Sequence, residues 1–436
     1  MVDIMRIWNI IIDENRKNIL FPQYMLILLI FLFNTLSAKQ YRFKHTVEDY
    51  INYALKHNPA LRSAGHMIEM TRESRKLSTT IPNPSLGLEY MDKMISKKGV
   101  NAVKVSFSQN IPWFKKLSTR RSVVEKTINK LDHIRNNTEV MLVYSVREAY
   151  VSLYAVGQKI YYMKRSLEIM KQMESSMLTA YAAAVVSQSG LLKLQVKMAQ
   201  VEDKIMSLKQ EGKIIRYKLQ ELLNTKAALN FPYPVELPEI EVFEDISEIK
   251  NTALSNNREV LIQKGFVEEA EAEVYAAEQV YFPDLAISAS YASPKFTGIK
   301  LVNSGERGEW GAMLSLSLPI WYKSNRAKVN EARKRLAAEK EKLKKEELAV
   351  VREAMVLSVK LEDMERQIGL FRNVIIPKAR QTVKLLKEKY TIQKSNLMEF
   401  LDSEKILLDL EMDLVDLVKK RELYAADIVI RGFGEY

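Results

Sequence analysis

Two pairs of alternating segments, 199 residues apart in an otherwise helical sequence, most constrain what this chain can fold into. The first pair is Pro84 to Tyr90 and Val103 to Pro112, separated by a Lys/Gly loop; the second is Pro283 to Tyr291 and Trp310 to Ile320, separated by a Gly-containing loop. Leu86, Leu88 and Tyr90 fall on one side, with Ser85, Gly87 and Glu89 on the other. Val103, Val105 and Phe107 oppose Lys104, Ser106 and Ser108, and Ala312, Leu314, Leu316 and Leu318 oppose Ser315 and Ser317. A period of two means strand, because successive side chains point to opposite faces. Each pair therefore reads as a β-hairpin with one apolar face, and no further strand-rich segment is available to cover it. Tyr90, Trp113, Phe114, Tyr281, Phe282, Trp310, Trp321 and Tyr322 gather at the strand ends. An apolar outer face, a polar inner face and aromatic ends fit a transmembrane β-barrel, with Val105 and Leu316 toward lipid and Ser106 and Ser315 toward the lumen. The same alternation also fits two hairpins capping a soluble helical bundle.

The rest of the chain reads as helix. With only 14 Gly and 12 Pro it suits long uninterrupted helices. One helix is expected over 46–80, ended by Ile81-Pro-Asn-Pro84. A second runs from about 115 to 180, roughly 100 Å at 1.5 Å per residue. Val146, Tyr150, Leu153, Gly157, Ile160, Met163, Leu167 and Met170 step by three and four along it, which is a coiled-coil seam. A break near Val186–Gly190 precedes a helix from about 191 to 224, and Pro232, Pro234 and Pro238 mark a linker. The pattern then restarts. Ala253, Leu254 and Asn257 repeat Ala54, Leu55 and Asn58; Pro283 repeats Pro84; Val351-Arg-Glu-Ala354 repeats Val146-Arg-Glu-Ala149. Leu407, Leu410, Leu414 and Leu417 give the last helix a seam, and Pro377 is expected to kink the long helix before it. The organisation is an internal duplication: a signal peptide over 1–38, a first repeat over 39–225, a linker over 226–244 and a second repeat over 245–436.

The leader reading rests on Arg16 and Lys17 before an apolar run from Tyr24 to Phe33, with Leu36-Ser37-Ala38 offering a small residue for cleavage. That run is shorter than the ~20 residues that span a bilayer. The chain has no Cys, so no disulfide, thiolate metal site or lipid-acceptor Cys can form from it. Its net charge is +12, but no Lys/Arg cluster with interleaved aromatics stands out, which argues against nucleic-acid binding. His45, His57, His66 and His133 lack ligand spacing, so no metal site is expected from them. Met163, Met170, Met173 and Met177 could suit Cu(I), yet at helical spacing they read as seam residues. No nucleophile–base set, Walker loop or zinc-helix motif is present, so no catalytic site and no cofactor is expected, and the chain does not read as an enzyme.

Closure limits the assembly. Open sheet edges are not tolerated in lipid, and the smallest closed barrels have about eight strands. Four strands per chain require partners, two chains giving eight and three giving twelve.

The duplicated layout, Asn58-Pro-Ala-Leu61 after Ala54-Leu55, Pro82-Asn-Pro-x-Leu86 at the entry to the first strand, and Tyr390-x11-Asp402 together resemble the TolC family of outer-membrane efflux proteins. The resemblance covers about residues 45–430. It implies a mainly α protein with a membrane β-barrel: a homotrimer with twelve strands in the outer membrane, seated in its lipid, and an α-helical tunnel in the periplasm. It implies two partners as well, a periplasmic adaptor protein and an inner-membrane transporter. The stretch Ser187 to Gln195 looks most like the branch serving cation and heavy-metal pumps. The family pattern places Tyr390, Glu399 and Asp402 at a closed periplasmic aperture. Gln393 stands where the family has Gly, and Ser395, beside Lys394, where a basic residue can lock the opening. Glu399 and Asp402 also fit ordinary solvated helix charges. The function expected is a passive exit duct of a tripartite efflux system. The alternatives are the outer-membrane part of a type I protein-secretion system and a periplasmic coiled-coil adaptor anchored by 24–36.

Overall fold

A computed structural model describes residues 44–91, 102–182, 187–225, 231–238, 240, 252–293, 308–391, 397–430 and 432. The expected leader, the 24–36 anchor and most of the linker lie outside these residues. From Val47 onward the chain forms one compact unit.

Helices α1 (Val47–His57) and α2 (Pro59–Ser78) stand where one helix was expected over 46–80. The break is chemical. Proline disfavours helical backbone at the residue before it, and Asn58 is extended, with ψ 129. Its Oδ1 accepts the Ala60 N–H at 2.8 Å, so the same residue ends one helix and caps the next. Asn58 Nδ2 also donates to the carbonyl of Leu222, and Asn224 Nδ2 donates to that of His57. The junction of α1 and α2 is thus latched to Leu222 and Asn224. Asn257, which follows a short helical stretch over 252–256, has the same backbone (ψ 130) and caps α5 (Arg258–Glu278) through Glu259 and Val260.

Helix α3 (Phe114–Ala182) is one unbroken helix of 69 residues, and α4 (Gln188–Leu223) returns along it. The seam read from the sequence is buried along α3, from Val146 to Met170, and continues through Met173 and Met177. Gly157 is a special member: a Cβ there would lie 2.8 Å from Tyr233, whose ring also occupies the space beside Gly212 of α4. Two glycines therefore let one tyrosine wedge between the long helices, and Arg216 stacks over that ring at 4.4 Å.

In the second half, α6 (Tyr322–Leu370) passes through a π-turn (Phe371–Ile375) into α7 (Ile376–Thr391), and α8 (Leu397–Ile430) returns. The expected disturbance at Pro377 takes the form of that π-turn. Proline has no N–H for the carbonyl four residues back, and its ring crowds that carbonyl, so the preceding turn widens.

The two hairpins form one antiparallel sheet of four strands, in the order β1 (Ser85–Met91), β2 (Ala102–Ile111), β3 (Asp284–Ser293) and β4 (Glu309–Ser317). The added joint is β2 to β3, with Val105 opposite Tyr291 and Ser106 opposite Ser290. Rows of like residues run across all four strands. Leu88, Val105, Tyr291 and Trp310 form one row, and Gly87, Ser106, Ser290 and Gly311 form the next.

Candidate functional site

Two ends of the molecule carry its chemistry. At the sheet, the rows add up to two unlike faces. Leu86, Leu88, Phe107, Trp310, Leu314 and Leu316 lie on one face and are all exposed, Trp310 at 82%. The other face carries mostly serines and glycines, with the exposed Met313 among them, and Ser85 and Ser108 share a hydrogen bond of 2.7 Å there. Lys104 Nζ meets Glu89 Oε2 there at 3.1 Å across the β1–β2 pair. Gln109 also falls on the apolar face, and its amide is spent locally on the carbonyls of Pro82 and Asn110. Val105 and Leu316 share the apolar face, and Ser106 and Ser315 share the polar one.

The sheet ends on a built junction. Asp284 Oδ1 accepts the Trp113 N–H and Lys116 Nζ, both at 2.9 Å, while its own N–H donates to Ser317 Oγ. Trp113 stacks on Phe282 with centroids 5.6 Å apart. One residue thus ties the start of α3 to β3 through its carboxylate and to the end of β4 through its N–H.

At the opposite ends of the long helices, an apolar cluster does the positioning. Met170, Met173, Met177, Leu194, Ile376, Phe400 and Leu401 pack in it. Gly190 at the start of α4 lies between Met177 and Leu397; a Cβ there would meet them at 3.5 and 3.7 Å. Leu397, Phe400, Leu401 and Glu404 form the buried stripe of α8, so Glu399 and Asp402 share the exposed side, three residues apart. Tyr390 belongs to the last turn of α7 by its backbone. Gln393, Lys394 and Ser395 lie outside the described residues.

A polar cluster beside the apolar one was not anticipated. Glu404 is 4% exposed, and its Oε2 and the Ser166 Oγ have no hydrogen-bond partner. Burial raises the Glu404 carboxyl above its ordinary range and Glu411 adds to the rise, while the charges of Arg165 and Lys387 pull the other way. Glu411, equally buried, accepts from Arg380 at 2.7 Å. These groups line a cavity of about 200 Å³ between α3, α7 and α8. A signal existed in the sequence: Leu397, Leu401, Glu404, Leu408, Glu411 and Val415 step by four and three, with two carboxylates on a seam.

A four-stranded sheet whose apolar face no described residue covers is carried on long paired helices. Residues 250–424 match the outer membrane efflux protein family. The chain is 21% identical over 392 residues to the probable outer membrane lipoprotein SilC of Salmonella typhimurium, covering 86% of this chain and 82% of that one. No cysteine is present in these 436 residues to carry a lipid. Among solved structures, CusC is similar with a TM-score of 0.74 at 17% identity, covering 92% of this chain and 96% of that one. VceC, an outer membrane protein of Vibrio cholerae, is similar with a TM-score of 0.73 at 14% identity, covering 89% and 96%.

Proposed function

We propose that three copies of this chain form a passive exit duct through the outer membrane, closing their sheets into a barrel of twelve strands and their helices into a periplasmic tunnel. Energy comes from an inner-membrane pump, reached through a periplasmic adaptor. The cargo class is metal cations or small toxic compounds, by likeness of the Ser187–Gln195 stretch to the cation-pump branch.

The observation that carries this reading is the pair of unlike faces. In lipid a charged residue near mid-membrane costs about 2–4 kcal/mol, so the face with Lys104 and Glu89 belongs to water and the face with Trp310 and Leu314 to hydrocarbon. A lone sheet would leave β1 and β4 with unpaired edges, which hydrocarbon does not tolerate. The two ends fit as barrel and aperture: Glu399 and Asp402 stand exposed where three chains would converge, six carboxylates in all. Among the described residues no helix is long and apolar enough to cross a membrane. Gentle extraction followed by native mass measurement should give a trimer, and the trimer should conduct in a planar bilayer. A stable monomer that keeps its strands would sink the reading. Cross-linking in cells would identify the pump.

A further inference from the structure

The duct reading leaves the charge at the foot of the sheet without a role. Both strands that descend from the sheet run into helices through exposed aromatic residues: Phe114 opens α3, and Trp321 and Tyr322 open α6, exposed at 63%, 75% and 71%. Cations follow at once. Helix α3 carries Lys115, Lys116, Arg120 and Arg121 before its first acidic residue, Glu125; α6 carries Lys323, Arg326 and Lys328 before Glu331. Asp284 uses Lys116, and Glu125 uses Arg121. Lys115, Lys323, Arg326 and Lys328 are exposed and enter none of the ion pairs among the described residues. Helix stability does not account for them, because cations in a first turn oppose the macrodipole, and neither helix has an acidic residue in that turn.

The order is that of a chain leaving hydrocarbon for phosphate. Aromatic residues mark the boundary, and basic residues follow in the headgroup layer, which is roughly 5–8 Å thick on each side. Tyr322 to Lys328 rises about 9 Å along α6, enough to cross that layer. The Asp284 junction fixes the start of α3 against the end of β4, just before α6 begins. We propose that this aromatic and basic belt seats the duct on the anionic phospholipids of the leaflet facing the helices, with Lys115, Lys323, Arg326 and Lys328 contacting headgroup phosphate. The proposal rests on the reading of the sheet as part of a membrane barrel.

The test uses the assembled full chain, extracted into an equal mixture of phosphatidylglycerol and phosphatidylethanolamine, with retained lipids counted by native mass spectrometry. The belt variant carries Lys115→Gln, Lys323→Gln, Arg326→Gln and Lys328→Gln. A control carries Lys193→Gln, Lys204→Gln, Lys209→Gln and Lys213→Gln on α4, with the same loss of charge. Wild type and control should prefer phosphatidylglycerol by at least about fivefold, the gain that one surface cation gives. The belt variant should show no preference. Raising salt from about 0.1 M to about 1 M shortens the screening length from about 10 Å to about 3 Å and should erase the preference of the wild type. A belt variant that keeps the preference, or a control that loses it as fully, overturns the proposal. Should the belt variant fail to assemble, the salt series on the wild type decides, and a preference that salt leaves unchanged overturns it. Conductance separates this from the parent reading. A wild type that forms channels yet prefers neither lipid sinks the belt alone, whereas one that forms no channel in either lipid sinks the duct as well.

Discussion

The sheet and the far end of the helices bury their apolar surface in opposite ways. At the far end, Leu194, Phe400, Leu401 and Met177 are at 0–2% exposure inside a single chain, and polar groups such as Glu404 and Glu411 are buried with them. At the sheet, Leu88, Trp310 and Leu314 stand more than 70% exposed, and none of the described residues covers them. At the far end the helices of one chain bury an apolar cluster together with internal charge. The sheet is incomplete alone, so its stability belongs to whatever surrounds it. Substitutions at the sheet should act through assembly and membrane, and substitutions among the helices through packing and protonation.

The largest expected effect tests this division at adjacent residues. Val105→Arg places a charge on the apolar face and should cost about 2–4 kcal/mol in the assembled barrel, while Ser106→Arg, on the polar face, should cost far less. Heat stability of the assembled channel measures both. Equal losses would show that the faces do not divide lipid from water.

Next comes packing between the long helices. Gly157→Ala would put its Cβ 2.8 Å from the root of the Tyr233 side chain, which cannot swing aside. Overpacking of this kind costs about 1–3 kcal/mol, seen as earlier loss of helical circular dichroism on heating. Gly65→Ala in α2 meets nothing within 4 Å and should instead stabilise, by up to about 1 kcal/mol. If both changes act alike, Tyr233 is not the constraint.

A smaller effect follows from Glu404. Its carboxyl is raised in the fold, chiefly by burial, so the folded state holds a proton more tightly than the unfolded chain does. That stability is fully present below the ordinary carboxylate value and is lost as pH rises through the raised one. Glu404→Gln should remove this slope and leave the variant the more stable form at neutral pH. Thermal scans from about pH 4 to pH 8 would check it. A wild type and variant with parallel curves would mean that water already hydrates the carboxylate.

The sequence carried the local pattern well and the distant pairing poorly. Alternation alone assigns Val105 and Leu316 to a shared apolar side, because strand geometry makes side-chain direction a matter of parity. Three- and four-residue spacing likewise exposes the seam from Val146 to Met170. The contact of β2 with β3 has no such marker, since Val105 and Tyr291 meet only after the intervening helices have folded back. The break at Asn58 was legible in principle, for Asn followed by Pro is both a cap and a helix stop. Glu404 and Glu411 were passed over because seams are recognised by apolar residues, and a carboxylate on a seam reads as a solvated charge. The basic belt was hidden differently: Lys115 and Lys323 are 208 residues apart in sequence, and only the joined sheet brings their helix starts to one level.

The smallest effect on stability should come from the pair that the duct reading makes most important for function. Glu399 and Asp402 lie on the exposed side of α8, opposite the stripe of Leu397, Phe400 and Leu401, and removing both should leave folding almost unchanged. Their role would appear only in the trimer. Six carboxylates around one opening attract cations and repel anions, as acidic rings do in cation-selective pores. The wild-type channel in a planar bilayer should therefore select cations, and a multivalent cation added on the helical side should block it from that side alone, where the ring is directly reached. Glu399→Ala with Asp402→Ala should abolish the block and much of the selectivity while heat stability holds. A double variant that is blocked as the wild type is would reduce these residues to surface charges. The barrel would survive that result, because it stands on the two faces of the sheet and not on the aperture. A double variant that unfolds early would strike at the comparison itself, since it would show that the far end of the helices, like the sheet, depends on contacts made only between chains.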